Sequence, residues 1–477
     1  MIIKNRDELL SHGQIEGRRQ VLDILEAGMA AGDPYDNVCK ALRIEGGKLV
    51  IGSDEFPLGP MVGHNMTRPR PFPPGPLALD LDQIGDIYLV GGGKAAQRQA
   101  EAIEDILGDL ITDGHVNAKK GDQIRLKRVG VTLAGHPNPD EDSVIGAQQI
   151  VEIERRAQKG DIVFMSESGG GTALLTLPAP GLTLQDIQET NRILYLEHGA
   201  PMPVANAVRF LLMTLRQKHS RHVGEATLIM FSTDERPPKN PVSLEPPRNI
   251  NNEYDYAIFL LHEYGCWDEI PDSVRRFLLR KDPAYGKLRT DEWYDKPHFR
   301  IRVMGPEYML NAAERKAREL GLNATILASA LSSLESRVVG ESMACIAREI
   351  EQHDRPLAAP AVFMIGGELV VTTGKSPGEG GRNSEFVASA AACIAGSRRI
   401  VIGSADSDGS DGPTAYAGGI VDGDTVARAA AAGLDLAEEL RRHNTCGLLR
   451  GIGDAIHTGV LRTNVQDLRV MYVGPQE

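Results

Sequence analysis

Aromatic residues and positive charge are both scarce in this chain of 477 residues. Phe, Trp and Tyr make up 5% of the sequence, which argues against a stacking platform for nucleic-acid bases or an aromatic sugar-binding cleft. Lys and Arg number 52 against 65 Asp and Glu, for a net charge of -13. This sign argues against a general binder of nucleic acid or anionic membranes. An anionic small substrate would therefore need a local basic cleft.

Paired cysteines and long apolar runs are missing as well. The five cysteines form no C-x-x-C pair and have no histidine at zinc spacing. No window of about 18 uninterrupted apolar residues occurs. The N-terminus has neither an apolar core nor a small-residue cleavage site. We therefore expect a cytoplasmic protein with reduced thiols, without secretion or membrane insertion.

The remaining composition is typical of a globular protein with several domains. Hydrophobic residues at 42% and charged residues at 25% lie near the globular average. A domain size of about 100 to 200 residues predicts two to four domains. The first 45 residues have the apolar spacing of helices. From residue 86 onward, short apolar runs alternate with helical segments, which predicts a parallel sheet with helices on both faces.

An irregular, proline-bearing stretch divides the chain in two. Residues 233–300 contain the run DERPPKNPVSLEPPRNI, which follows the end of the first strand-helix alternation. A second alternation of strands and helices begins at FRIRVM. We therefore expect an N-terminal domain over residues 1–295 and a C-terminal domain over residues 296–477, both of the α/β class.

Two glycine-rich turns follow predicted strands in the N-terminal domain. The turn Gly91–Lys94 opens a helix, where free backbone N-H groups can hold an anion and the lysine adds a full charge. Its spacing matches neither the dinucleotide fingerprint nor the P-loop. The turn from Ser166 to Thr172 contains three consecutive glycines, which cost about 0.5 to 1 kcal/mol each, so close approach of a phosphate or carboxylate explains them better than packing does. A tight turn with a surface lysine is the alternative at the first site.

Two further loops lie in the C-terminal domain. Residues 374–383 hold four glycines around a lysine and Arg382, a setting suited to bidentate contact with a phosphate or carboxylate. A flexible loop with a solvated arginine is the alternative. Asp406, Asp408 and Asp411 repel one another unless a cation or hydroxyl donors occupy their loop, which favours Mg²⁺ or a polyol substrate. The loop is not an EF-hand, and Asx turns or helix capping are the alternative roles.

One polar segment is interpreted mainly as structure. Asn138 at the N-cap, Pro139 at the first helical position and Glu141 two residues further on have the pattern of a capping box. His136 lies just before this segment and is an active-site candidate, although a lone histidine near a turn is more often a structural hydrogen-bonding group.

Six segments, taken in order, carry a family resemblance. They are VGGGKAA (90–96), AGHPNPDE (134–141), SGGGTALLTLPAPGLTLQD (168–186), GGELVVTTGKSPGEGGRNSEF (366–386), DSDGSDGPTAYAGGIVDG (406–423) and TGVLRTNVQDL (458–468). Their sequence and order resemble the glycerate 2-kinase family, also called the MOFRL family and, by an older name, hydroxypyruvate reductase. Because the segments are spread over most of the chain, the resemblance concerns the whole protein.

The resemblance implies a larger N-terminal Rossmann-like parallel α/β domain, a smaller C-terminal α/β (MOFRL) domain and an active site in the cleft between them. It implies ATP and Mg²⁺ as cofactors, and phosphorylation of the 2-hydroxyl of D-glycerate to 2-phosphoglycerate. It places an essential lysine and arginine at Lys94 and Arg382, and Asp408 is the third catalytic candidate. The candidate substrate- or phosphate-binding residues are Gly92, Gly93, Ser168, Gly169, Gly170, Gly171, Thr172, Asn206, Arg209, Gly380, Gly381, Asn383 and Asn464. The candidate metal ligands are Asp406, Asp408 and Asp411.

Three segments depart from the family pattern and leave the acceptor open. The family's V-R-K-H-L-S-x-x-K-G-G is altered within residues 208–218, its S-D-V-x-G-D within residues 232–247 and its T-G-P-T-G-T-N within residues 458–464. The alternatives are therefore a kinase of another small hydroxy-acid or sugar acid, a hydroxypyruvate reductase, and a non-catalytic nucleotide- or sugar-acid-binding protein. The missing G-x-G-x-x-G argues against the reductase. A homodimer is a further expectation, whereas nucleic-acid and membrane partners are not expected.

Overall fold

The computed structural model describes residues 2–60, 75–233, 250, 252–289, 292–293, 296–332, 334–373 and 378–476. These residues form two compact units. The first unit contains residues 34–233 and 250–303, and the second contains residues 2–33 and 304–476. The first 33 residues thus group with the C-terminal part of the chain. The expected division at residue 295 had assigned them to the N-terminal domain.

Helices and strands alternate through most of the described chain. The helices are α1 (Arg6–Leu9), α2 (Ile15–Ala31), α3 (Pro34–Ala41), α4 (Ala96–Leu107), α5 (Glu141–Arg156), α6 (Gly171–Leu174), α7 (Leu184–Asn191), α8 (Met202–Arg209), α9 (His219–Val223), α10 (Glu253–Glu263), α11 (Asp272–Arg280), α12 (Pro306–Glu319), α13 (Ser336–His353), α14 (Arg382–Ile394), α15 (Thr425–Ala431), α16 (Leu436–Arg441) and α17 (Thr445–Gly451). The strands are β1 (Leu42–Glu45), β2 (Lys48–Ile51), β3 (Leu58–Pro60), β4 (Leu77–Asp80), β5 (Ile87–Gly92), β6 (Asp113–Lys119), β7 (Gly130–Ala134), β8 (Ile162–Glu167), β9 (Thr227–Thr233), β10 (His298–Met304), β11 (Asn323–Ala328), β12 (Ala361–Gly367), β13 (Ile400–Asp406), β14 (Gly418–Asp422), β15 (Ala455–Ile456) and β16 (Asp467–Val473). Among the helices described, none has the length and apolarity that crossing a membrane requires.

The first unit is built on a sheet whose described strands are ordered β3-β10-β9-β8-β5-β6-β7. The run from β9 through β8, β5 and β6 to β7 is parallel, which confirms the predicted parallel α/β layering. Every residue of β5 and β8 is buried, as expected for central strands of a sheet that is covered on both faces. The carboxyl ends of these two strands lead directly into the two glycine turns.

The second unit has a mixed sheet whose described strands are ordered β11-β12-β16-β13-β14-β15. Strands β11 and β12 pair in parallel, and the other neighbouring pairs are antiparallel. Helix α2 packs against α12, β13 and β16, which explains why the N-terminal segment belongs to this unit. Strand β16 begins at Asp467, opposite Gly367 at the end of β12 and Asp406 at the end of β13. The sheet therefore brings the ends of three strands together.

Two local features differ from the sequence expectations. An antiparallel sheet of β1, β2 and β4 follows the N-terminal helices, where the sequence predicted no strands. Helix α5 begins at Glu141, and its cap is Asp140, whose carboxylate accepts the Ser143 N-H at 3.0 Å while Ser143 Oγ accepts the Asp140 N-H at 3.1 Å. The predicted cap at Asn138 is therefore wrong, because Asp140 is an equally good N-cap residue.

Candidate active site

The two glycine turns of the first unit form one joint structure. They follow β5 and β8, which are neighbours in the sheet. The Lys94 N-H donates to the Gly169 carbonyl at 2.8 Å, and the Ala95 N-H donates to Ser168 Oγ at 2.9 Å. The sequence identified each turn separately, and the structure brings them together at the carboxyl end of the parallel sheet, where ligands bind in many α/β proteins.

His136 packs against this joint turn. Gly170 adopts a φ of +84°, and a Cβ atom there would lie 2.9 Å from His136 Nε2 and 3.1 Å from Lys94 Cγ, so glycine is required both by conformation and by space. Buried in the same turns are Gly92, Gly93, Ser168, Gly171 and Thr172, while Lys94, Gly169 and Gly170 are half-buried. The candidate residues of this region are thus grouped as expected, with His136 among them.

Positive charge is concentrated around His136. Burial, together with the positive charges of Lys94, Lys119 and Arg209, lowers the pKa of His136 to about 4. The imidazole is therefore neutral at physiological pH and can accept or donate a hydrogen bond. This cluster is the local basic region that a chain of net charge -13 needs in order to hold an anionic substrate.

Arg209, the last residue of α8, is a buried arginine without a partner in the described chain. It is 7% exposed, and no described carboxylate lies within ion-pair distance. Its Nε has no hydrogen-bond partner among the described residues, nor has the buried Oδ1 of Asn206, one turn earlier on the same helix. Burial lowers the pKa of Arg209 to about 10, which still leaves the guanidinium charged at neutral pH. A buried, unpaired charge is costly, and an anionic ligand would offset that cost.

The side chains of the altered segment that follows α8 mainly form contacts within the protein. Lys218 Nζ donates to the Phe210 carbonyl at 2.7 Å and also to the Met213 and Tyr285 carbonyls. Phe210 packs against the apolar cluster around α8 and α10. Arg216 forms an ion pair with Glu167, the residue that ends β8. Of the long cationic side chains in this segment, Arg209 is therefore the one best placed to bind a ligand carboxylate.

Arg382, the first residue of α14 in the second unit, is held by three carboxylates. Its Nε donates to Asp467 Oδ2 at 2.7 Å and its Nη2 donates to Asp406 Oδ2 at 2.6 Å. Its Nη1 lies 3.3 Å from Glu368 Oε1. Burial and the nearby Asp467 raise the pKa of Asp406 well above its usual value. Burial acts in the same direction on Asp467, but Arg382 and a second arginine keep the pKa of Asp467 below its usual value.

The three aspartates of the acidic loop do not form one metal site. Asp411 caps α14, because its Oδ1 accepts the Asn383 N-H and its Oδ2 accepts the Ser384 N-H, both at 2.8 Å. Asp406 accepts from Arg382, and Asp408 is half-buried with its Oδ1 accepting from a serine. In the part of the chain that the structure describes, no group of three or more His, Cys, Asp or Glu side chains could hold a metal ion. Asp411 thus caps α14, the alternative role that the sequence left open, and its assignment as a metal ligand stays a prediction.

Asn383 also has a structural role. Its Nδ2 donates to Asp411 Oδ1 at 3.3 Å and to Asp467 Oδ1 at 3.0 Å, while its Oδ1 accepts from Ser404 Oγ. Asn383 is fully buried. Its polar groups are thus satisfied inside the protein, and its assignment as a ligand-binding residue stays a prediction.

The glycines before α14 approach protein atoms closely. A Cβ atom at Gly381 would lie 2.5 Å from the Asp411 carboxylate, and one at Gly380 would lie 2.6 Å from Thr445 Oγ. Packing thus already requires these two glycines. Asn464 is half-buried beside Val465 and stays a prediction. Residues 374–377 of this loop, and residues 234–247 of the altered segment 232–247, lie outside the described residues.

Sequence reasoning missed Glu368 and Asp467 as partners of Arg382. Glu368 directly follows Gly367, the last residue of β12, and Asp467 is the first residue of β16. The signal available in the sequence was position: Glu368 follows two glycines, and Asp467 is the next-to-last residue of the last matching segment. That signal does not reveal the partner, because antiparallel pairing of β16 with β12 and β13 brings these residues together over long distances in the chain.

The depressed pKa of His136 predicts an acid sensitivity. A histidine whose pKa is about 4 when folded and about 6.5 when unfolded binds more protons in the unfolded state between these values, so the free energy of unfolding falls as the pH drops from about 6.5 to about 4. We expect His136→Gln to show a smaller fall over this range in urea denaturation. His353→Gln, at an exposed histidine, is the control, and an identical fall in wild type and His136→Gln would contradict the prediction.

Comparison with known proteins shows which family the chain resembles in sequence and in fold. Residues 20–217 match a family model described as "Domain of unknown function (DUF4147)", and residues 361–467 match the MOFRL family. The glycerate 2-kinase of Pyrococcus horikoshii is 31% identical, over 95% of this chain and 98% of that protein. The D-glycerate 2-kinase of Thermotoga maritima is 33% identical, over 82% of this chain and 90% of that protein. The crystal structure of glycerate kinase from Thermotoga maritima covers 95% of this chain and 99% of its own, with a TM-score of 0.76 at 28% identity.

The fold and the comparisons first define a class. The chain is an α/β phosphotransferase of the kind that uses an alcohol group as acceptor. Within that class it belongs to the glycerate 2-kinase family.

Proposed function

We propose that this protein transfers the γ-phosphoryl group of ATP to the 2-hydroxyl of D-glycerate, giving 2-phosphoglycerate. The observation that carries the proposal is the buried Arg209, whose Nε has no hydrogen-bond partner among the described residues, close to Lys94, Lys119 and the neutral His136. A small hydroxy-acid has one carboxylate, which matches one buried guanidinium. The names of the relatives from Pyrococcus and Thermotoga support the same acceptor.

The residues of the first unit would divide the work between binding and charge stabilisation. Arg209 and Asn206 would hold the acceptor's carboxylate by charge-assisted hydrogen bonds. Lys94 and the backbone of the joint glycine turn would bind phosphate oxygens with donors that are already in place before the reaction. His136 is neutral and would orient a hydroxyl by hydrogen bonding.

Arg382 would bind a phosphate oxygen through its guanidinium, since phosphoryl transfer depends mainly on positioning and on neutralising the equatorial oxygens. Asp408 is the remaining candidate for Mg²⁺, because Mg²⁺ commonly uses one or two carboxylates together with substrate phosphates and water. The ion would neutralise charge on the nucleotide phosphates. Asp406 is engaged with Arg382, so its own role would be to keep that guanidinium in place.

Removal of divalent cations is expected to abolish phosphoryl transfer. The described residues offer no preformed cage for the ion, so binding would depend on the nucleotide and should be readily reversible. The measurement is ADP release before and after exhaustive treatment with EDTA, followed by re-addition of MgCl₂. Undiminished turnover in EDTA would contradict the cation requirement, and recovery with MgCl₂ controls for unfolding.

A panel assay tests the proposed reaction against its alternatives. ADP release would be measured with three- to six-carbon hydroxy-acids, and the phosphorylated position would be identified by ³¹P NMR. Turnover with D-glycerate and formation of 2-phosphoglycerate are expected. Preference for a longer acid would instead favour the altered acceptor pocket, and NADH oxidation with hydroxypyruvate would favour the reductase. Binding of ATP without turnover on any acid would favour the non-catalytic alternative.

Two expectations from the sequence stay predictions. The cytoplasmic location is supported by the free state of all five cysteines. Sedimentation of the purified protein, which measures the mass of the particle in solution, tests the expected homodimer.

A further inference from the structure

The surroundings of Arg382 are asymmetric. Asp467 and Asp406 bind its Nε and Nη2, and their side chains are 0% and 3% exposed. Glu368 faces its Nη1, and the Glu368 side chain is 53% exposed. One edge of the guanidinium is thus held inside the protein, whereas the other edge is in contact with a carboxylate on the surface.

The buried edge is fixed by further hydrogen bonds. Asp467 Oδ2 also accepts from Arg469 Nη2 at 2.6 Å, and Asp467 Oδ1 accepts from Asn383 Nδ2 at 3.0 Å. Asp406 Oδ1 accepts the Asp408 N-H at 3.0 Å. Separating Arg382 from these carboxylates would leave the buried Asp406 without its cation and Asp467 with Arg469 alone, which is strongly unfavourable. The guanidinium therefore has a fixed position.

The exposed edge is held weakly by comparison. The Glu368 contact is 3.3 Å, longer than those to Asp467 and Asp406 at 2.7 and 2.6 Å. Ion pairs with exposed carboxylates contribute little, because water screens them and ordering a long side chain costs entropy. Glu368 can therefore swing away from Arg382 without exposing any buried group.

We propose that Glu368 occupies the ligand-binding edge of Arg382 in the ligand-free protein and is displaced by an anionic phosphate oxygen. Asp467 is then the positioning residue that presents Nη1, and Glu368 is the internal competitor that sets the affinity for the phosphate. The proposal rests on the proposed function only for the identity of the phosphate as part of a nucleotide. The competition itself concerns any phosphate anion.

The proposal makes a prediction of unusual sign, because removing a polar contact should strengthen binding. Glu368→Gln keeps the shape of the side chain and removes the competing charge. The dissociation constant for inorganic phosphate should fall about two- to fivefold, which is the equilibrium factor of an exposed ion pair. If Glu368 were instead needed to hold Arg382, the same variant would bind phosphate more weakly.

The experiment is calorimetric titration of the full-length protein with inorganic phosphate and, separately, with ATP. The matched control is Glu341→Gln, which removes the same charge from a carboxylate that is 45% exposed and pairs with Arg337 in the same unit. The comparison is repeated in a Lys94→Met background, so that phosphate bound in the first unit does not mask the effect. Arg382 itself is unsuitable for mutation, because its removal would take a cationic partner away from the buried Asp406 and Asp467.

Tighter phosphate binding in Glu368→Gln but not in Glu341→Gln, retained in the Lys94→Met background, is the expected result. Equal or weaker binding in Glu368→Gln, or no phosphate binding by the Lys94→Met protein, overturns the proposal. Phosphate titration requires no acceptor and no turnover. A wild-type protein inactive on D-glycerate would therefore count against the proposed function, while the phosphate result would still decide the role of Glu368.

Discussion

Lys94→Met is expected to lower kcat about a hundred- to a thousandfold, the usual cost of removing one preorganised charge stabiliser of the transition state. Lys94 lies half-buried in the turn whose backbone contacts Gly169 and which packs beside His136, and we expect its amine to bind the transferred phosphoryl group. Methionine retains the length of the side chain. The free energy of unfolding should change by about 0.5 kcal/mol or less, as for most substitutions outside a core.

The measurement is steady-state ADP release together with thermal unfolding of the same preparation. Lys159→Met, at an exposed lysine of the same unit, is the control for loss of one positive charge. We expect it to retain the wild-type kcat. A Lys94→Met protein with more than half the wild-type rate would remove Lys94 from the chemistry and leave only the structural explanation of its turn.

Arg209→Met should weaken acceptor binding without loss of stability. A charge-assisted contact to a carboxylate contributes about 1.5 to 3 kcal/mol, so the KM for D-glycerate should rise about 10- to 150-fold. Because Arg209 is buried and without a described partner, its removal deletes an unpaired charge, and stability should be unchanged or raised. The KM for ATP should change little if Arg209 binds the acceptor alone.

Lys218→Met is the informative control for this prediction. Lys218 is also a buried basic residue, but its amine donates to three backbone carbonyls. Its replacement should therefore lower the thermal midpoint, because the carbonyls lose their donor. If Arg209→Met is destabilised as Lys218→Met is, or if the glycerate KM does not change, then Arg209 is a structural residue and another group binds the carboxylate.

Much of the fold could be predicted from local patterns. Fully apolar runs such as β5 and β8, alternating with helical periods, indicate a parallel sheet because both faces of such strands are buried. The three glycines Gly169–Gly171 mark a turn in which Gly170 has a φ of +84° that bulkier residues rarely adopt, and the structure places the Lys94 backbone against Gly169. By contrast, β1, β2 and β4 were missed, since they are short and lie among turn residues, which leaves little periodicity to detect.

The composition and the order of motifs in the sequence determined the class of protein, the parallel layering of the first unit and the two glycine turns with Lys94, because each of these depends on residues close together in the chain. The tertiary structure decided which polar groups have partners. Asp411 caps a helix, the Lys218 amine donates to backbone carbonyls, and the Nε of the buried Arg209 has no described partner. These roles depend on groups that strand pairing and helix packing bring together from distant positions. Burial makes these partners necessary, because a charged group that water solvates on the surface needs a hydrogen-bond or ion-pair partner once it is removed from water.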